Sequence, residues 1–281
     1  MNLPLWSLPR MSFPKVPGAD FAGTVLSAGE DTSWVEGDEI LGFSLGRSTN
    51  GFLSEVVDLD EKIATIVRKP KDWTWGQAAS LPLVWLTART CVELCAPYLK
   101  EKKKVVVLGG SSGVGIYVCH LAKQRGWDVL ATCSGRNAEF VKSMGADSVV
   151  DYTTQDVVEE VKKYAPVAVV DCVGGTDCIG IADQYVTIVG DKTSRSSMGG
   201  SLLYYFYPRM MLRYYLGRVG LGKSYHAITL DPKKEYLEEA LSLPKDKIII
   251  DSTFDFGRAK EAYERLDTSR ARGKVVVEFR S

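Results

Sequence analysis

The chain has 281 residues, of which 45% are hydrophobic and 25% charged, the make-up of an ordinary globular protein with material for about two domains. Lys plus Arg and Asp plus Glu are equal at 35 each, so no overall basic excess marks a nucleic-acid binder. No apolar run reaches the ~18 residues of a membrane span, and no signal peptide or basic presequence stands at the start, which points to an intracellular chain.

Residues 1–18 read MNLPLWSLPRMSFPKVPG, with four prolines among the first 17, and predict extended, irregular backbone. From Val16 to about Lys69, FAGTVLSAG, GDEILGF and FLSEVVDLD are β-rich runs punctuated by Gly29, Gly37, Gly42, Gly46 and Gly51. They predict a small antiparallel β domain. Thr74 to about Tyr98 reads as helix broken in two by Pro82. From Lys104 strands and helices alternate: KVVVLG, VGIYVCHLAKQRG, DVLATCS, AEFVKSMG, SVVDY, TQDVVEEVKKY, VAVVDCVGG. Fully apolar strands alternating with helices predict a parallel sheet covered on both faces.

The next strand, QYVTIVG, begins only about nine residues after Gly175. A parallel crossover normally takes a dozen or more and a helix, so that helix is very short or missing. Ser201 to Gly217, SLLYYFYPRMMLRYYLG, reads either as a helix covering the sheet or forming a subunit contact, or as a segment at a membrane interface. Asp231 to Leu243 predicts a helix with Asp231 as N-cap and Pro232 in the first position. FGRAKEAYERL is helical and GKVVVEF closes the chain as a strand.

Six cysteines and two histidines lack the clustered short spacing of a zinc site, and no metal is expected. The chemistry-bearing motif is Leu108-Gly109-Gly110-Ser111-Ser112-Gly113-Val114-Gly115, between an apolar strand and a helix. Small residues there let backbone approach a pyrophosphate, and the N–H groups and dipole of the following helix attract its charge. Gly110 and Gly115 match the outer positions of Gly-x-Gly-x-x-Gly; Ser112 takes the middle place, with Gly113 beside it. The other reading is a tight turn with no ligand. Where a site for NAD would offer an Asp or Glu to the ribose 2′-hydroxyl, the second strand ends in Ser134-Gly135-Arg136-Asn137. A hydroxyl, a guanidinium and an amide suit a 2′-phosphate, which favours NADPH over NADH; a solvated loop arginine at Arg136 is the other reading.

VPGADFAGTVLSAG, GDEILGF, LPLVWLTART, LGGSSGVG, ATCSGRN, GADSVVDY, VVDCVGG and RARGKVVVEF stand in an order that resembles the medium-chain dehydrogenase/reductases. The likeness is to their zinc-independent quinone-oxidoreductase side, with the fungal Yim1-type proteins and the reticulon-4-interacting NADPH oxidoreductases. The resemblance implies a Rossmann-type doubly wound parallel sheet plus a partial GroES-like antiparallel β domain. It divides the chain into residues 1–95, catalytic; 96–245, NADPH-binding; and 246–281, returning to the catalytic part. It implies hydride transfer from NADPH to a quinone, enone or other activated carbonyl or alkene, and places Ser111, Gly113, Val114 and Ser134 against the cofactor. Tyr152 then lies near the adenosine-phosphate end, where packing at a strand end is the other reading, and Cys172 beside the nicotinamide through its backbone. Thr87 is the catalytic candidate, its alternative a helix hydroxyl bonded to its own backbone. Lys192 is a weaker candidate, and His120 and His226 read as structural. Zinc-dependent relatives carry Gly-His-Glu where this chain has Gly18-Ala19-Asp20.

Relatives also have a longer segment before VPG, so the catalytic part is expected to be incomplete. The alternative function is therefore a catalytically impaired NADPH-binding module or scaffold. A short-chain dehydrogenase is disfavoured because Tyr98 to Lys102, its one Tyr-x-x-x-Lys, precedes the glycine loop. The partners expected are a small-molecule substrate and, by resemblance, a second copy; mitochondrial association stays open beside a cytoplasmic place.

Overall fold

The computed structural model describes residues 16–44, 51–191 and 208–279. Strands β1 (Asp20–Thr24), β2 (Glu39–Phe43) and β3 (Thr65–Arg68) form an antiparallel sheet in that order. Phe21 pairs with Gly42, and a Cβ on Gly42 would sit 2.6 Å from the Phe21 ring, so the ring lies over a position that must stay bare. The stretch FLSEVVDLD, expected as a strand, forms none. The helical stretch that follows is divided as Pro82 predicts, into α1 (Trp75–Ser80) and α2 (Pro82–Cys95). Thr74 and Gln77 form a reciprocal capping box at the first.

The central sheet has six parallel strands: β4 (Lys104–Leu108), β5 (Asp128–Cys133), β6 (Ser148–Asp151), β7 (Ala168–Asp171), β8 (Gln184–Thr187) and β9 (Ser224–Ala227). Their order is β6-β5-β4-β7-β8-β9, a Rossmann-type arrangement whose topological switch lies between β4 and β7. Helices α3 (Gly115–Gln124), α4 (Ala138–Ser143) and α5 (Val157–Tyr164) connect the first four strands. Alternate residues of β4 enter opposite cores. Val105 and Val107 pack with α2 and α3, while Val106 and Leu108 pack with Val161 and Tyr185. This is why the strand is apolar throughout rather than alternating.

The crossover from β7 to β8 has no helix. Turns at 176–183 take its place, and their buried Cys178 and Ala182 cover the sheet where a helix would lie. β8 stops at Thr187 rather than running on to Gly190, because the Thr187 hydroxyl accepts the N–H groups of Val189 and Gly190 and turns the chain.

Helix α6 (Pro208–Arg218) packs on the edge strand β9. Helix α7 spans Lys234–Ala240 with Lys233, not Asp231, as its N-cap. Asp231 and Pro232 are held outside it by tertiary bonds: Asp231 N–H donates to Thr90, and Thr65 donates to the Pro232 carbonyl at 2.6 Å. The chain ends as β10 (Ile250–Asp255), α8 (Ala259–Asp267) and β11 (Lys274–Glu278), a parallel pair packed on α1.

Candidate functional site

The glycine turn leaves β4 at the switch point. Gly109 has φ +80 and cannot readily be another residue. Its N–H donates to the Thr132 hydroxyl at 2.9 Å, and Gly110 N–H donates to the Thr132 carbonyl at 2.8 Å. The end of β5 thus fixes the turn. A Cβ on Gly110 would stand 2.7 Å from Ala131, and one on Gly115 would stand 2.2 Å from the Gly109 carbonyl oxygen. Ser112 accepts the Gly115 N–H at 3.0 Å and reaches the Cys172 thiol. Among the described residues, the N–H groups of Ser111, Gly113 and Val114 have no protein acceptor. Three unanswered donors at the start of a ten-residue helix, on bare backbone, fit a phosphate-bearing ligand.

The tip after β5 is a short turn over Gly135–Asn137. Asn137 donates to the Ser134 hydroxyl at 3.3 Å, and its carbonyl accepts from Arg272 at 2.6 Å. The Arg272 guanidinium lies 4.7 Å from the Phe140 ring centre. Arg136 is exposed on the turn itself. Two guanidinium groups therefore border this tip, one of them from just before β11. Tyr152, tied to the end of β5 by its N–H on the Cys133 carbonyl, is 58% exposed rather than packed. Asp151 also meets the tip: a Cβ on Gly135 would be 2.5 Å from its carboxylate. That carboxylate takes hydrogen bonds from the Thr153 hydroxyl and N–H, which hold it below the usual carboxylate range.

On the other side of the turn, Cys172 is buried, with its N–H on the Leu108 carbonyl. Burial pushes its thiol well up, so it is no thiolate at neutral pH. Asp171, fully buried, accepts the N–H groups of Val173 and Gly174 at 2.9 and 2.8 Å and the Thr187 hydroxyl at 3.0 Å. Burial raises its carboxyl despite these donors. One carboxyl group ties together the loops after β7 and β8. A groove of about 1200 Å³ lies elsewhere, along β1 and β11 and lined by Phe21, Trp34, Phe52 and Trp75; it shares no residue with the turn or the tip.

Residues 144–277 match the model of a family described as zinc-binding dehydrogenases. The chloroplast envelope quinone oxidoreductase homolog of Arabidopsis thaliana is 32% identical over 96% of this chain and 82% of its own length. The chain belongs to the quinone-oxidoreductase side of the medium-chain dehydrogenase/reductases. Within this oxidoreductase family, the human mitochondrial NAD(P)H oxidoreductase RTN4IP1 is 30% identical over 94% of this chain and 70% of its own length. The solved quinone oxidoreductase of Coxiella burnetii superposes with a TM-score of 0.75 at 25% identity, over 95% of this chain and 80% of that one.

The family model's description names zinc, and the described residues offer no gathered donor set for it. Among the described residues no three His, Cys, Asp or Glu side chains gather into a possible metal site. Asp20, at the place of the zinc-dependent relatives' motif, is already committed. It accepts Lys274 at 2.7 Å and the Leu83 N–H at 2.6 Å, pinning the first turn of α2 to β1 and β11.

Thr87 is buried and donates to the Leu83 carbonyl at 2.6 Å, the backbone-bonded alternative. Its helix meets the glycine turn through Val84, 3.5 Å from where a Gly113 Cβ would be. His120 is half-buried near Trp85, and His226 sits against Tyr214; burial lowers both imidazoles, with Lys247 and Arg218 adding to it. Lys192 lies outside the described residues. Arg272 and Asp171 are the site residues that sequence reasoning missed. Arg272 sits in the quoted block RARGKVVVEF, but nothing local connects it to Asn137.

Proposed function

We propose that this chain is an NADPH-dependent, zinc-independent oxidoreductase that delivers hydride to a quinone, enone or comparably activated carbonyl or alkene. The observation that carries the reading is the pairing of a donor-lined glycine turn with a tip flanked by two guanidinium groups. The turn suits a pyrophosphate through the N–H groups of Ser111, Gly113 and Val114 and the small residues Gly110, Ser112 and Gly115. The tip suits a 2′-phosphate through Ser134, Arg136, Asn137 and Arg272. Asp151 opposes an anion there; Thr153 engages one of its oxygens, Oδ1, and the two arginines outnumber it. Tyr152 offers an exposed ring to the adenosine end, and Cys172 its backbone to the nicotinamide end. Bound nicotinamide supplies the hydride; the protein supplies position and electrostatics. Asp171 holds the loops that border the reacting end. Thr87 is too engaged with its own helix to carry a proton without first breaking that bond.

The relatives' printed names, as quinone and NAD(P)H oxidoreductases, support the same reading. The test is NADPH oxidation across a panel of quinones and enones, alongside direct measurement of NADPH binding. Turnover with at least one acceptor is expected. Tight NADPH binding without turnover on any of them would assign the chain to the impaired binding module instead.

A further inference from the structure

Helix α6 has two apolar faces, and the fold uses one. Toward the sheet it presents Met210, buried with Tyr185 and Tyr225, and Tyr214 against His226. Arg213 on that side binds both carboxylate oxygens of Asp191 at 2.7 Å. Gly217 also faces inward, where a Cβ would meet the Lys223 carbonyl oxygen at 2.7 Å. At about 3.6 residues per turn, the opposite side carries Leu212, Tyr215, Leu216 and Val219, exposed by 59, 55, 36 and 64%. Leu221, just past the helix, is 77% exposed. In projection this stripe is bordered by Arg209 on one side and Arg218 on the other, both exposed, and exposed Lys223 follows. The chain as a whole balances its charges, yet residues 208–230 hold four Lys or Arg and no Asp or Glu.

We propose that the outer face of α6, with the turn to Lys223, docks on the surface of a bilayer containing anionic phospholipid. An apolar stripe with cationic borders, lying on the molecule's outside, is the pattern of an in-plane membrane contact. Leucine and valine enter the acyl boundary, Tyr215 sits at the headgroup level, and the arginines meet lipid phosphates. Among the described residues no helix is long and apolar enough to cross, so the contact is peripheral. A second copy fits less well: a two-fold contact places the same patch against itself, and with it two sets of Arg209 and Arg218. Arg213 takes no part, because Asp191 already neutralises it. The contact between Lys223 and Asp183, 3.5 Å long with both partners largely exposed, is weak competition for lipid.

The surface shares no residue with the glycine turn or the tip, so its test is independent of the cofactor reading. The full chain is sedimented with vesicles of phosphatidylcholine alone and of phosphatidylcholine with about one third phosphatidylglycerol, at low and high salt. Binding to the anionic vesicles at low salt is expected, falling about tenfold as salt screens the charges. Leu212→Gln with Val219→Gln should cut binding by about tenfold or more, and Arg209→Gln with Arg218→Gln should remove the preference for anionic lipid. All four side chains are exposed, and circular dichroism checks that the variants fold. No sedimentation with anionic vesicles at low salt would overturn the proposal, as would wild-type binding by both variants or no preference between the two vesicle types. A lipid-free dimer by light scattering that Leu212→Gln with Val219→Gln abolishes would assign the face to a second copy and also overturn it.

Discussion

Asn137 links a residue legible in the sequence to one that was not. Its amide nitrogen holds Ser134, and its carbonyl holds Arg272. The run Ser134-Gly135-Arg136-Asn137 is local, so its phosphate-suited chemistry could be read directly. Arg272 enters only because the chain returns to this tip before β11. Replacing Arg136 and Arg272 together with Ala is expected to weaken NADPH binding by roughly 10- to 100-fold, on the scale of two exposed, solvent-screened ion pairs of about 1 kcal/mol each. NADH binding should change by about twofold at most. Ser134→Ala with Arg136→Ala should show the same direction and a smaller loss. Titration by cofactor fluorescence checks both, and equal losses for the two cofactors would sink the 2′-phosphate assignment.

Among elements, the β10–α8–β11 unit positions that arginine. Arg265 on α8 donates to both carboxylate oxygens of Asp251 on β10, at 2.7 and 2.6 Å. Asp251 also accepts the Arg272 N–H at 2.8 Å, so one carboxylate braces the turn that carries Arg272. The Arg265 hydrogen bond holds Asp251 below its ordinary value of 3.8. A carboxylate with a lowered native pKa contributes stability that is present above the unfolded value and lost as pH falls through the native one. That contribution should therefore be constant from neutral pH down to about 4 and disappear below. Asp251→Ala is expected to cost about 1–2 kcal/mol in urea unfolding, to flatten the acid limb of the stability profile and to weaken NADPH more than NADH. An unaltered acid limb would show that Asp251 is not the titrating group. Elements also explain two misplaced boundaries: tertiary hydrogen bonds hold Asp231 and Pro232 out of α7, and Thr187 ends β8 early.

At the scale of the molecule, the proposed cofactor site is assembled from the loop after β4, the tip after β5, the end of β7 and the segment before β11. A ligand spanning these parts stabilises all of them at once. NADPH at about 100 times its Kd should add about 2.7 kcal/mol to the unfolding free energy, which for a chain of this size raises Tm by roughly 5 °C. NADH at equal concentration should give a much smaller shift. A thermal scan with each cofactor checks this, and identical shifts would show that the tip does not discriminate.

The sequence by itself determined the alternation of the five strands β4 to β8, the missing crossover helix, the division at Pro82 and the glycine turn; the edge strand β9 emerged only in the structure. Each of these sequence features is written in a short stretch: apolar runs of strand length, a link too short for a helix, a residue without an N–H, small residues where backbone crowds backbone. Family membership followed from such blocks taken in order. The tertiary structure alone decided that Asp20 is a cap and ion-pair partner, that Asp171 clamps two loops, that Arg272 reaches the tip, and that α6 keeps an apolar face outside. These depend on hydrogen bonds and packing between residues far apart in the chain, for which local periodicity carries no signal.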